Sequence, residues 1–198
     1  MTQVDSVGAT LLKAASDVLA TDGPAALTVR RIARQAGMST MNVYSRFGGK
    51  DGVVEHLFLE GFRRLAEAMT DVAETANPLE DLRQCGLAYR RFALENPTYY
   101  SIMFERVVAD FEASADALLE AGATLQLLAD RLARAMHLGA MAPADPLHTA
   151  AAVWATCHGV VGLEMKRVGP EMIEWDRVYD QATGALLTGL IRGHDLGS

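Results

Sequence analysis

The placement of proline is the feature that most limits what this 198-residue chain can fold into. All six prolines lie at the edges of segments whose apolar residues recur at helical spacing; they are Pro24, Pro78, Pro97, Pro143, Pro146 and Pro170. Proline is tolerated in the first turn of a helix and breaks a helix interior. No segment alternates apolar and polar residues for long enough to build a sheet. The sequence therefore predicts an all-α fold of about nine helices.

The apolar periodicity and the glycine and proline stops place these helices along the chain. The predicted segments are about 6–21, 29–36, 40–46, 50–75, 79–95, 97–108, 111–137, 147–167 and 172–192. We expect two functional parts: residues 1–50, a three-helix head that continues into the first turns of the fourth helix, and residues 51–198, a helical body.

Charge is distributed unevenly between the head and the body. The whole chain has a net charge of −7, which argues against a histone-like protein that binds nucleic acid by charge alone. Five basic residues and no acidic residue lie between Arg30 and Lys50. A locally basic head on an acidic body favours an anionic partner for the head only.

The remaining chemistry-bearing residues indicate neither catalysis nor a metal site. Cys85 and Cys157 are too far apart for a metal motif, which favours free, buried thiols in a reducing cytoplasm. The five histidines show no ligand spacing; they are His56, His137, His148, His158 and His194. The first residues lack a signal-peptide pattern, and no apolar run approaches the ~20 residues of a membrane span. We expect a cytoplasmic protein that binds no cofactor and is not an enzyme.

Thr28 to Phe47 has the layout of a helix, a tight glycine turn and a second helix, each two turns long. Thr28 is a good N-cap for the first of them, because its hydroxyl oxygen can accept from an unpaired backbone N–H. In the second helix, Met38, Val43 and Phe47 can form a buried side. Tyr44 then lies at the edge, and the outward residues are Thr40, Met41, Asn42, Ser45 and Arg46. Such a helix fits the major groove of DNA.

Among the outward residues, Asn42 is suited to bidentate contact with adenine and Arg30 to contact with guanine. Met41 offers apolar contact, for example to a thymine methyl group. The alternative for Arg30, Arg31 and Arg34 is an ordinary solvated helix face.

The string LTVRRIARQAGMSTMNVYSRFGGKD, residues 27–51, resembles the TetR family of bacterial transcriptional regulators over about residues 8–60. The resemblance implies phosphate contacts from Thr28, Tyr44 and Lys50. It implies contacts to bases or the adjacent backbone from Arg30, Ser39, Thr40, Met41, Asn42, Ser45 and Arg46. Gly49 and Gly52 depart from the family pattern at the start of the fourth helix. Because glycine inside a helix costs ~1 kcal/mol relative to alanine, we hypothesise a soft junction there.

The body resembles a TetR subgroup with a Trp-x3-His-Gly signature, here Trp154, His158 and Gly159, over about residues 78–190. Because Trp154 and His158 are four residues apart, they share one helix face. Family members enclose an apolar effector between the central helices. The candidate lining residues are Tyr89, Phe92, Tyr100, Met103, Phe104, Trp154 and His158. The alternative for each of them is an ordinary core position, with His158 bonded to a neighbouring carbonyl.

Small residues form a stripe on each of the last two helices. One stripe contains Ala151, Ala155, Gly159 and Gly162, and the other contains Ala182, Ala185 and Gly189. The family resemblance implies a homodimer interface of four helices there. The alternative is close packing of the two helices within one chain.

These observations together predict a dimeric transcriptional regulator that binds a double-stranded DNA operator. The resemblance implies a repressor released from a palindromic operator by a small, largely apolar effector. One alternative is a helical protein-interaction module that has lost DNA binding. The other is an enzyme, although the sequence contains no nucleophile elbow, P-loop or HExxH motif.

Overall fold

The computed structural model describes residues 5–192 and confirms the all-α prediction for them. The helices are α1 Ser6–Asp22, α2 Val29–Gln35, α3 Thr40–Phe47, α4 Lys50–Thr70, α5 Pro78–Glu95, α6 Pro97–Phe104, α7 Ala115–His137, α8 Pro146–Met165 and α9 Trp175–Arg192. None of these helices is long and apolar enough to cross a membrane.

The predicted helix bounds differ from the structure at several ends. α7 begins at Ala115 rather than at residue 111, and α9 begins at Trp175 rather than at residue 172. α4 ends at Thr70 rather than at residue 75, and α6 ends at Phe104 rather than at residue 108. After α6, Arg106 has a φ of 49°, a left-handed conformation that cannot continue a right-handed helix. Neither end carries a glycine or proline stop, so the apolar period alone could not locate it.

The described residues pack as two units, each with its own core. The N-terminal unit comprises residues 5–63 and 96–121. Its helices α1, α2 and α3 surround fully buried side chains that include Leu11, Val18, Ile32, Val43 and Leu57. These residues occupy the inward positions of amphipathic helices, so burial of their apolar stripes holds the unit together.

The C-terminal unit comprises residues 64–95 and 122–192 within the described part of the chain. Arg90 of α5 ties α8 and α9 together: its Nε lies 2.8 Å from a Glu164 carboxylate oxygen, and its Nη2 lies 2.6 Å from Asp176. The Tyr179 hydroxyl of α9 donates to the Gly86 carbonyl of α5 at 2.6 Å. The predicted division at residue 50 concerns function and stays a prediction, whereas the packing places residues 51–63 in the N-terminal unit.

Two arginines of α7 bond backbone carbonyls in the last turn of α4 and in the segment that follows it. Arg131 Nη2 donates to the carbonyls of Met69 and Val72 at 3.0 and 2.6 Å. Arg134 donates to the carbonyl of Thr75 and pairs with the buried Asp81 at 3.0 Å. Cations near a helix carboxyl end complement the helix dipole and bond its unpaired carbonyls, so these contacts stabilise the observed end of α4.

Gly52 lies where the backbone of α4 closely approaches that of α3. A Cβ atom added at Gly52 would lie 1.8 Å from the carbonyl oxygen of Phe47. His56 supports the same junction, because its Nδ1 bonds the Gly52 carbonyl at 2.8 Å and its ring lies edge-on to Phe47. Close approach thus explains this glycine, and the soft junction stays a prediction.

We expect Gly52→Ala to lower the free energy of unfolding by about 1–3 kcal/mol, because the methyl group has to displace the backbone of Phe47. Urea unfolding followed by circular dichroism measures the change. Gly122→Ala is the matched control: Gly122 is an exposed helical glycine with nothing within 4 Å of the added atom. That change should stabilise the protein by about 0.4–1 kcal/mol. Equal effects of the two substitutions would contradict the close approach.

Candidate nucleic-acid interface

The N-terminal unit contains the predicted helix-turn-helix. Thr28 begins α2 as its N-cap, with its Oγ1 accepting from the backbone N–H of Arg31 at 3.1 Å. Gly37 has a φ of 66°, which a tight turn between helices requires and which glycine adopts without strain. The N-cap predicted for Thr28 is confirmed. Its O–H proton remains available to a phosphate, because the capping bond uses only an oxygen lone pair.

α3 buries one side and exposes the other, as its sequence predicts. Val43 and Phe47 are in the core, and Met38 packs against it. Met41 and Tyr44 are 70% and 55% exposed, although both are large and apolar in part. Because these side chains are exposed and not packed into the core, this side of the eight-residue helix is suited to contact with a groove of DNA.

A chain of hydrogen bonds runs across the outward side of α3. The Asn42 Nδ2 donates to Ser39 Oγ at 3.2 Å, and the Asn42 Oδ1 accepts from Arg46 Nη1 at 3.1 Å. Arg46 also pairs with Asp5, Nη2 to Oδ2, at 2.9 Å. The Arg46 side chain holds the pKa of Asp5 below its usual value, with the backbone bond from Gly8 contributing as well.

The basic residues of the head differ in how far they are engaged within the chain. The Arg31 Nε lies 3.0 Å from Asp22, so this side chain is tied to α1. Arg30 is exposed, and Lys50 approaches Asp51 at a distance of only 4.0 Å. Arg30 and Lys50 therefore keep the capacity for contact with an anion.

Four of the residues predicted to line an effector site lie in the C-terminal unit. The Tyr89 hydroxyl and the His158 Nδ1 are 2.9 Å apart, and the Trp154 and His158 rings are tilted at 54° with a centroid distance of 5.5 Å. Tyr89 and Phe92 are buried, whereas Trp154 is 37% exposed. His158 thus bonds a tyrosine hydroxyl of α5.

The other three predicted lining residues belong to the N-terminal unit. Met103 is buried against α4, where an added Cβ at Gly61 would meet its sulfur at 2.5 Å. The rings of Tyr100 and Phe104 lie edge to face at 5.1 Å. The seven residues are therefore divided between two packing units, and their joint role in binding stays a prediction.

A small cavity in the C-terminal unit is lined by α5, α7, α8 and α9, including Leu82, Leu132, Cys157 and Tyr179. Its volume of about 30 Å³ is far below the ~300–1,000 Å³ of ligand sites. This cavity cannot hold a drug-sized ligand in the present conformation. Both described cysteines are free and buried, and Cys157 lines this cavity.

The predicted dimer stripes lie on α8 and α9. Ala155, Gly159 and Ala185 are exposed in the single chain, and nothing lies within 4 Å of a Cβ built at Gly159. The other stripe residues are half-buried; they are Ala151, Gly162, Ala182 and Gly189.

Asp5 is the residue at this interface that the sequence analysis missed. It is the N-cap of α1, accepting from the Gly8 N–H at 2.7 Å, and aspartate before an amphipathic helix is a recognisable capping signal. Its bond to Arg46 spans 41 positions and leaves no local sequence pattern. Among the described residues, no group of three or more His, Cys, Asp or Glu side chains could hold a metal ion. His194, one of the five histidines without ligand spacing, lies outside the described residues.

Two family models match this sequence. The model for bacterial regulatory proteins of the tetR family matches residues 11–57. The model for the tetracyclin repressor-like C-terminal domain matches residues 82–186, more than half of the chain. No curated protein matches the sequence significantly.

Solved structures share the fold over nearly the whole chain. A Rhodococcus sp. RHA1 protein of unknown function is 24% identical with a TM-score of 0.83, covering 96% of this chain and 98% of its own. The TetR family regulator PfmR from Thermus thermophilus is 22% identical with a TM-score of 0.67, covering 93% and 98%. The fatty acid degradation regulator FadR from Bacillus halodurans is 19% identical with a TM-score of 0.74, covering 96% and 98%.

The two buried thiols should react slowly in the folded protein. Burial raises the pKa of Cys85 to about 11 and raises that of Cys157 as well. Because only the thiolate is nucleophilic, we expect modification by an aromatic disulfide at pH 8 to be at least ~100-fold slower than in denaturant. Absorbance of the released thiolate measures the rate, and Cys157→Ala assigns the two phases. Equal rates with and without denaturant would contradict the burial.

Proposed function

This chain belongs to the tetR family of bacterial regulatory proteins, and we propose that it is a dimeric repressor that a small, largely apolar effector releases from a palindromic operator. Members of the family are DNA-binding transcription regulators and not enzymes. The chain is therefore a transcription regulator. The proposal concerns its dimerisation, its action as a repressor rather than an activator, and its effector. We place it in the cytoplasm, where its DNA target lies and where thiols stay reduced.

The outward side of α3 is the observation that supports DNA reading most directly. Val43 and Phe47 are buried on the opposite side of the helix, in the core of the N-terminal unit. The outward side can therefore enter a major groove while these two side chains stay buried. We assign adenine contact to Asn42 and thymine-methyl contact to Met41, and we assign phosphate contacts to Thr28, Tyr44 and Lys50. The remaining proposed contacts are Arg30, Ser39, Thr40, Ser45 and Arg46.

Dimerisation is supported by the composition of α8. This 20-residue helix contains one charged residue, Glu164, and yet it leaves Trp154 and Leu163 37% and 47% exposed. A helix that is apolar on all sides is normally covered on all sides. We infer that a second copy covers the small-residue stripes, which lets two recognition helices reach successive major grooves about 34–36 Å apart.

Effector release is the part of the proposal that rests most on the family. The Tyr89 and His158 pair, with Trp154 beside it, offers a polar group next to aromatic surface, which suits a mainly apolar ligand with one polar end. The subgroup resemblance through Trp154, His158 and Gly159 is part of this proposal. A differential affinity of about 1–3 kcal/mol between two conformations would be enough to change operator occupancy.

Selection from a pool of random DNA duplexes at about 0.15 M salt tests the proposed function, since this salt suppresses purely electrostatic binding. We expect enrichment of a palindrome whose two halves are one helical turn apart. Enrichment of a single half-site would contradict the dimer. A pool that stays random, with and without added cell extract as a source of effector, would contradict sequence-specific binding.

Two variants separate base reading from phosphate binding on the selected operator. Asn42→Ala should relax the preference at one position of each half-site by about 1–3 kcal/mol. Lys50→Gln should weaken binding to all duplexes alike and reduce the salt slope by about 0.9 for each phosphate that the side chain no longer neutralises. A changed base preference in Lys50→Gln would contradict its assignment to phosphate.

Ala155→Arg should weaken dimerisation at least ~100-fold, because the two-fold axis brings two uncompensated charges into one interface. Sedimentation equilibrium measures the dissociation constant. Ala123→Arg, at an exposed alanine of α7, is the matched control and should leave the dimer intact. Dissociation by both substitutions, or by neither, would contradict an interface on α8.

A further inference from the structure

An acid–arginine pair joins the start of α1 to the last turn of α3. The Arg46 Nε lies 3.0 and 3.2 Å from the two carboxylate oxygens of Asp5, and its Nη2 lies 2.9 Å from Oδ2. Planar, forked pairs of this kind fix the orientation of both groups. Asp5 is itself held, because its Oδ1 caps α1 through the Gly8 N–H at 2.7 Å. The carboxylate therefore positions the guanidinium from outside the helix-turn-helix.

Arg46 in turn decides which way the Asn42 side chain points. Its Nη1 donates to the Asn42 Oδ1 at 3.1 Å, and a guanidinium has no acceptor. The amide oxygen therefore has to face Arg46. The opposite end, Nδ2, donates to Ser39 Oγ at 3.2 Å. Both ends of the carboxamide are thus fixed before any DNA is present.

The fixed carboxamide keeps the capacity to read a base. An amide oxygen has a second lone pair and an NH₂ group has a second hydrogen. Adenine offers an N6–H donor and an N7 acceptor in the major groove, which is the complement of these two groups. The intramolecular bonds of Asn42 are therefore compatible with adenine contact and reduce the orientations that would have to be frozen on binding.

We propose that Asp5 is a specificity-determining residue: acting through Arg46, it holds the Asn42 carboxamide in the orientation that reads adenine and keeps the Arg46 guanidinium off non-target phosphate. This inference rests on the proposed DNA-reading function. Asp5 is a positioning residue, since it acts through another side chain.

The location of the pair argues for this role over a stabilising one. The Asp5 and Arg46 side chains are 55% and 29% exposed, and exposed ion pairs contribute little to folding. A carboxylate on a surface meant for DNA also repels phosphate, so it weakens binding to any sequence. Loss of Asp5 should therefore raise the affinity for random DNA and lower the discrimination between operator and random DNA. If Asp5 only capped α1 or stabilised the fold, neither change would be expected.

Asp5→Ser is the informative variant, because serine can still cap α1 and cannot form the forked pair with Arg46. We expect its operator-to-random affinity ratio to fall about tenfold, the scale of one good bidentate base contact. The adenine preference read by Asn42 should weaken, and binding to random duplex should tighten with a steeper salt slope. Fluorescence anisotropy on both duplexes and a repeated selection measure these changes, and thermal unfolding checks that the fold is kept.

Asp22→Ser is the matched control. The substitution removes one carboxylate from the same unit and releases Arg31, whose Nε donates to Asp22 at 3.0 Å. It leaves the hydrogen bonds of Asn42 unchanged. It should tighten binding to both duplexes alike and leave the ratio and the base preference unchanged. Equal ratios and base preferences in Asp5→Ser and Asp22→Ser would overturn the proposal.

A double variant tests whether Asp5 acts through Arg46. In an Arg46→Ala background, Asp5→Ser should have no additional effect on the base preference; an additive loss would overturn the relay through Arg46. The wild-type selection separates the two levels of the argument. If the wild type selects an operator and Asp5→Ser selects it equally well, only the role of Asp5 is lost. If the wild type selects no sequence, the proposed function falls and this inference falls with it.

Discussion

Burial of Val43 and Phe47 is the interaction on which the rest of the head depends. An eight-residue helix is too short to be stable in water by its own hydrogen bonds, so α3 exists only because one of its sides packs into the core of the N-terminal unit. The same burial fixes which residues face outward. Structure and recognition are therefore coupled: a change that loosens Phe47 would disturb every outward side chain of α3 at once.

Much of this arrangement could be predicted from sequence because it is local. Helical spacing of apolar residues identified the elements, the N-cap at Thr28 and the buried side of α3. The end of α4 could not be predicted, since Arg131 bonds the Met69 carbonyl of its last turn from 62 positions away. A sequence pattern records what a helix requires and does not record which distant side chain supplies it.

The candidate interface shows the same limit at the level of single residues. Asn42 and Arg30 could be proposed from residue type and helix face, whereas the role of Asp5 depends on a tertiary contact with Arg46. Gly52 was interpretable only as a poor helix former until its approach to the Phe47 carbonyl was known. In both cases the local rule was correct, and a contact between elements decided what the residue does.

The contact between Gly52 and Phe47 also defines how this head could be re-engineered. Residues 40–42 and 44–46 belong to α3 but not to its buried side, so they form a set that can be exchanged to give new operator preferences. Phe47 and Gly52 form the fixed frame into which such a set is inserted, because the space between them admits no side chain. A library that varies the first group and holds the second would sample binding preference without sampling misfolded heads.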